Sequence, residues 1–156
     1  MKNLFTILAT AFVLLILSNK TYAQQAIRVA QFNTDKGVAI QGYDPVTYFT
    51  QNKAVKGSSA ISVNAEGITY YFATPEDKEL FKKDHTKYEP QYGGWCAYAM
   101  GTNGEKVDVD PETFKIINGK LYLFYHTWVN NTLSKWNADE NNLKPKADAS
   151  WAKFIK

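Results

Sequence analysis

The sequence predicts a small α+β domain of β-hairpins and short helices, closed by a C-terminal helical segment. Three observations carry that prediction. Two pairs of β-favouring runs are each joined by a glycine-containing turn, Ala65-Glu66-Gly67 and Asn118-Gly119. Cap-plus-proline helix starts occur at Asp44-Pro45, Thr74-Pro75 and Asp110-Pro111. Strands and helices also come in blocks, without the strict βαβ alternation that would build a parallel sheet.

Taken in order, Val38 to Gly42 reads as a short strand ending at a glycine. Asp44 to Phe49 reads as a capped helical turn, with Asp at the cap and Pro at the first helical position. Ala60–Asn64 and Ile68–Ala73 form the first predicted hairpin. Thr74-Pro75-Glu76-Asp77 starts a helix that should turn Leu80 and Phe81 to the core and stop near Asp84. Gly93 to Gly101 is apolar, and its small residues call for close backbone approach. Asp110-Pro111-Glu112-Thr113 again predicts a helix start. Asn118-Gly119 is the strongest short hairpin signal and sits between Phe114–Ile117 and Leu121–Tyr125. Val129, Leu133 and Trp136 at helical spacing predict an amphipathic helix over 127–136. A helical tail carrying Leu143, Trp151, Phe154 and Ile155 should dock on the core.

The first 23 residues have the form of a secretory signal. A positive start, Met1-Lys2-Asn3, precedes an apolar run from Leu4 to Leu17, and Thr21 and Ala23 supply the small residues of a cleavage site. The run is shorter than the ~20 residues that span a bilayer, so cleavage after Ala23 is expected and no membrane anchor remains. The expected organisation is a signal peptide over 1–23, a loose polar lead-in over 24–41 and one domain over 42–156. Loss of Lys2 and Lys20 takes the formal charge from +3 to +1. A near-neutral domain with no basic block is not a nucleic-acid binder. The Lys-rich C-terminal part reads as a solvated helix face.

Cys96 is the only cysteine, so no internal disulfide forms, and 4 Trp, 10 Tyr and 9 Phe must supply the packing instead. A lone exported thiol is either buried and inert or exposed and used. Gly93 and Gly94 would bring backbone amides to it, and His85, Lys87 and His126 are the candidate side-chain partners. Cys96, His126 and His85 together would suit copper or zinc, although nothing in their spacing selects that set. The plain alternative is a Cys packed in an apolar strand. Likewise His85 sits at a helix C-terminus, where a cation is mildly favoured. Asp110 reads as a helix cap and Asp108 as surface, the tyrosines as core and rim, and Asn130-Asn131-Thr132 as a glycosylation acceptor pattern. No nucleophile–base–acid triad, phosphate loop or Cys-x-x-Cys pair points to an enzyme.

Several spaced segments, in the same order, resemble the YHS domain family. They are Gly42-Tyr43-Asp44-Pro45-Val46, Gly67-Ile68-Thr69-Tyr70-Tyr71-Phe72 and Gln91-Tyr92-Gly93-Gly94-Trp95-Cys96-Ala97-Tyr98. Asp108-Val109-Asp110-Pro111, Gly119 to Leu123 and Lys146-Ala147-Asp148 fit its exported branch of (seleno)proteins. The resemblance spans about Gly42 to Phe154. It implies metal handling in the cell envelope, with a metal ion or an envelope protein as partner, and it makes Cys96 the chemical centre. Metal-linked members carry cysteines just after the Asp-Pro-Val and Tyr-Tyr-Phe elements. Here Thr47 and Ala73 stand there, so that thiolate site does not carry over. The resemblance leaves three expectations: soft-metal binding through Cys96, thiol redox chemistry with a partner's resolving thiol, or a structural and interaction domain.

Overall fold

The computed structural model describes residues 22–156. The expected leader therefore lies outside the described residues apart from Tyr22 and Ala23. Among the described residues no helix is long and apolar enough to cross a membrane.

The segment expected as a loose lead-in is instead folded into the domain. Helix α1 covers 22–31, and strands β1 (Thr34–Asp35) and β2 (Val38–Ala39) follow it. Ala39 and Ile40 are core residues, so the domain begins before residue 42. After the short helix α2 (Thr47–Thr50), the predicted hairpin forms as β3 (Ser58–Ala65) and β4 (Ile68–Phe72). Glu66 and Gly67 at its turn both have positive φ, 48° and 88°, as a type I′ turn requires. A Cβ on Gly67 would lie 2.6 Å from a Val29 methyl carbon, so the glycine also admits α1 against the turn. The sheet order is β1-β2-β4-β3, with β2 parallel to β4 and the other pairs antiparallel.

Ile68, Tyr70 and Phe72 alternate inward from β4 and pack with Phe81 of α3 (Pro75–Lys83). Helix α3 starts as predicted: the Thr74 hydroxyl accepts the Asp77 N–H at 3.1 Å and donates to Asp77 Oδ2 at 2.9 Å. Leu80, expected in the core beside Phe81, is exposed. Helix α4 (His85–Tyr88) follows α3 after Asp84.

Further sequence-based assignments change. Gly93–Gly101 is not a strand: Cys96 ends a left-handed turn and begins helix α5 (Ala97–Thr102). Asp110-Pro111-Glu112-Thr113 does not start a helix but opens strand β5 (Asp110–Ile117). Asp110 makes the cap-like bonds expected of it, accepting the Glu112 N–H at 3.0 Å and the Thr113 hydroxyl at 2.9 Å. Those bonds become a register shift between the pairs Asp110–Phe124 and Phe114–Leu123. The β-favouring run Phe114-Lys115-Ile116-Ile117 then decides the conformation.

Strand β6 (Lys120–Phe124) separates two cores. Leu121 and Leu123 point into the core under β4 and α3, while Tyr122 and Phe124 point into a second core with Trp136 and Met100. A continuous apolar run is what a strand buried on both faces needs. The second core is closed by α6 (Thr132–Trp151), which bends at Asp139 (φ −145°, ψ 32°). Gly101 of α5 lies so close to α6 that a Cβ there would be 2.7 Å from the Leu143 carbonyl oxygen. The helix predicted over 127–136 begins only at Thr132. Ahead of it stands a separate hairpin, β7 (His126–Thr127) and β8 (Asn130–Asn131). Asn131 caps α6 by accepting the N–H groups of Leu133 and Ser134.

Candidate functional site

Cys96 is completely buried. Its sulfur lies 3.3 Å from the Tyr125 backbone nitrogen and 3.4 Å from the Thr132 hydroxyl oxygen. That hydroxyl donates its one hydrogen to the Tyr125 carbonyl at 2.7 Å. The contact between sulfur and hydroxyl must therefore be made by the thiol hydrogen. Tyr125 N–H donates to sulfur, sulfur donates to Thr132, and Thr132 donates to the Tyr125 carbonyl. This closed ring ties the end of β6 and the start of α6 to the start of α5. The Cys96 N–H also donates to Val107 O at 2.9 Å.

The other two predicted ligands lie in separate settings. His85 Nδ1 is 3.0 Å from Glu89 Oε1, and Nε2 is 3.9 Å from Glu66 Oε1. Glu89 is buried and heavily used: Arg28 approaches it at 2.6 and 3.2 Å and the Tyr70 hydroxyl donates to it at 3.0 Å. Arg28 Nε also lies 3.0 Å from Glu66. The cluster clamps α1 to β4, α4 and the β3–β4 turn. Burial, followed by the neighbouring Glu89 charge, pushes the Tyr70 phenol well above the ordinary tyrosine range. His126 Nδ1 is 3.1 Å from the Thr113 hydroxyl and 3.3 Å from Asp110 Oδ2, on the exposed side of β7. Among the described residues no group of three or more His, Cys, Asp or Glu side chains is placed to hold a metal ion. The structure thus does not gather Cys96, His126 and His85 into a centre, because each already has its own partners.

Thr47 and Ala73, by contrast, converge on one residue. The Thr47 hydroxyl donates to the Asp44 carbonyl at 3.0 Å, and the Ala73 N–H donates to Asp44 Oδ2 at 2.7 Å. Asp44 Oδ1 accepts the Val46 N–H at 2.8 Å. Asp44 is completely buried with Asp77 beside it, and burial is the main cause that pushes its carboxyl up to about 6. The sequence predicts Asp44 as a helix cap, and the structure adds that this cap is buried.

A second feature missed in the sequence is the tip of the β7–β8 hairpin. Trp128 is 97% exposed and Val129 91% exposed, side by side in a two-residue loop. Such loops favour Asn, Asp or Gly in turns with positive φ, yet neither residue has a positive φ. Turn chemistry gives no reason for a Trp-Val pair here, and neither side chain packs on the domain.

Comparison with family models, with curated proteins and with solved structures finds no match to this chain.

Proposed function

We propose that this chain is an exported, YHS-like recognition domain of the cell envelope, which docks on a protein partner through the Trp128–Val129 tip. The observation that carries the reading is the near-complete exposure of two adjacent apolar side chains on a projecting hairpin. Tryptophan is the residue type most enriched among binding hot spots, where it fills a pocket ringed by polar contacts. Here Thr127 and Asn130, the paired residues that flank the tip, supply such polar neighbours. On this reading Cys96 is a structural thiol. The test is photo-crosslinking in the exporting cell, with a benzoylphenylalanine at position 128 and, as control, at the exposed Lys120. A discrete protein adduct from 128 alone is expected. No adduct, or the same adduct from both positions, would overturn the reading.

One observation favours a second reading, in which Cys96 binds a soft ion such as copper or zinc: the Tyr125 N–H directed at sulfur is the kind of donor that stabilises a thiolate. This reading requires the buried sulfur to be uncovered and to recruit ligands from elsewhere. Competition titration with Cu(I) separates the two: metal handling requires Cys96→Ser to weaken binding at least about tenfold, whereas a structural thiol leaves it unchanged.

A further inference from the structure

The chemistry at the start of α1 depends on which residue begins the exported chain. The secretory signal ends in Thr21-Tyr22-Ala23, and cleavage after Ala23 places Gln24 first. Tyr22 and Ala23 are both exposed, Tyr22 at 72%, so their removal uncovers no part of the core. The helix that remains, 24–31, is anchored from its second turn. There the Arg28 guanidinium donates to Glu89 at 2.6 and 3.2 Å and lies 3.0 Å from Glu66. Gln24 thus sits one helical turn ahead of a fixed point on the domain.

Two adjacent glutamines stand at this end, and the structure treats them differently. Gln25 is half-buried against the β3–β4 turn: a Cβ on Gly67 would lie 3.2 Å from Gln25 Nε2 and 3.3 Å from its Cγ. Gln24 is exposed. As the first residue it carries a free α-amine and a side-chain amide that can meet in a five-membered ring. Gln25, whose nitrogen is a peptide nitrogen, cannot do the same. In that closure the neutral α-amine attacks Gln24 Cδ, a new N–Cδ bond forms and the bond from Cδ to Nε2 breaks. Ammonia leaves with the proton that the amine gives up, and no oxidant, metal or second substrate is consumed. An α-amine titrates at about 7.7–8.0, so a fraction of it is neutral at physiological pH. The first nitrogens of a helix have no intrahelical acceptor, so closure takes nothing from the hydrogen-bond ladder of α1. It also removes an ammonium from the positive end of the helix dipole, which favours the closed form.

We infer that Gln24 is a modification site: it begins the exported chain as pyroglutamate, which gives α1 a neutral terminus that aminopeptidases cannot open. The inference rests on the export reading above and is independent of the docking tip.

The test is the intact mass of the protein expressed as the full chain in the exporting cell, purified from the envelope or medium and weighed before any digestion. A species matching 24–156 less one ammonia is expected. Its first tryptic peptide, Gln24 to Arg28, should carry the loss. Edman degradation should yield nothing until pyroglutamyl aminopeptidase removes the first residue, after which the sequence starts at Gln25. Gln24→Ala, altered only at an exposed position, should yield a chain of full mass that sequences directly. A wild-type chain that begins at Gln24 with full mass and an open amine would overturn the inference and leave export standing. So would a chain cut at another bond, or an ammonia loss located at Asn118-Gly119 instead, where the Gly nitrogen can close on the Asn side chain. A chain that still carries residues 1–23 would refute the export reading, and the inference with it.

Discussion

Asp44 offers a sharp test of how the domain handles a buried charge. Its carboxyl is completely buried, and that burial raises its pKa; the N–H groups of Ala73 and Val46 oppose the shift and Asp77 adds to it. The net result is a rise from the ordinary 3.8 to about 6. The folded state therefore holds this proton more tightly than the unfolded chain does. The stability it contributes is complete below pH 3.8 and is lost as pH rises to about 6. At about 1.4 kcal/mol per pH unit, the loss amounts to about 3 kcal/mol. Asp44→Asn removes the titration. It also points an amide NH₂ at one of the two backbone N–H groups, which adds a pH-independent cost of about 1–3 kcal/mol. Urea unfolding of wild type and variant, read by tryptophan fluorescence between about pH 3.5 and about pH 7, yields their stability difference at each pH. Carboxylates remote from Asp44 cancel in that difference. The wild type's advantage should shrink by about 3 kcal/mol toward neutral pH. A flat difference would refute the buried, protonated Asp44. An advantage that grows with pH would mean that the two backbone N–H bonds outweigh burial and keep the carboxylate charged.

Four further outcomes follow from single contacts. Cys96 should resist alkylation at every pH that leaves the protein folded and react once urea unfolds it; Cys96→Ala should cost about 1–3 kcal/mol in urea unfolding, because Tyr125 N–H loses its acceptor. Glu89→Gln leaves Arg28 and the Tyr70 hydroxyl without their shared carboxylate and should cost about 3 kcal/mol, the low end for a broken buried pair because Arg28 keeps Glu66; limited proteolysis should then release α1 first. Gly101→Ala places a carbon 2.7 Å from the Leu143 carbonyl oxygen and should lower stability by about 1–3 kcal/mol, measured by thermal unfolding. Trp128→Ala should leave stability within about 0.5 kcal/mol in the same assay, since the side chain touches nothing in the domain.

Much of the scaffold could be read from the chain because its signals are local. Glu66-Gly67 and Asn118-Gly119 set their hairpins through backbone conformations that few other residues adopt cheaply, and Thr74-Pro75 starts α3 through one side-chain bond and one missing N–H. Cys96 was legible as a residue of interest but not in its role. The ring of hydrogen bonds around it joins Cys96 to Tyr125 and Thr132, and no spacing rule connects those positions. The same holds for Asp44, whose burial depends on Ala73 and Asp77 arriving from the far end of the first hairpin.

The failures have a common physical form. Val129 at helical spacing from Leu133 and Trp136 looks like core, and only the hairpin that forms ahead of Asn131 turns it outward with Trp128. Ile40 favours an extended backbone by its own branching, and it is instead held left-handed by Gln41, Lys56 and Val109. In both places the local preference of the residue contradicts the structure it occupies. Such conflicts are costly where only stability is at stake, and natural sequences tend to keep them where something else is served. The exposed tip and the left-handed turn at Ile40 are the two places where this chain departs most clearly from what folding alone would choose.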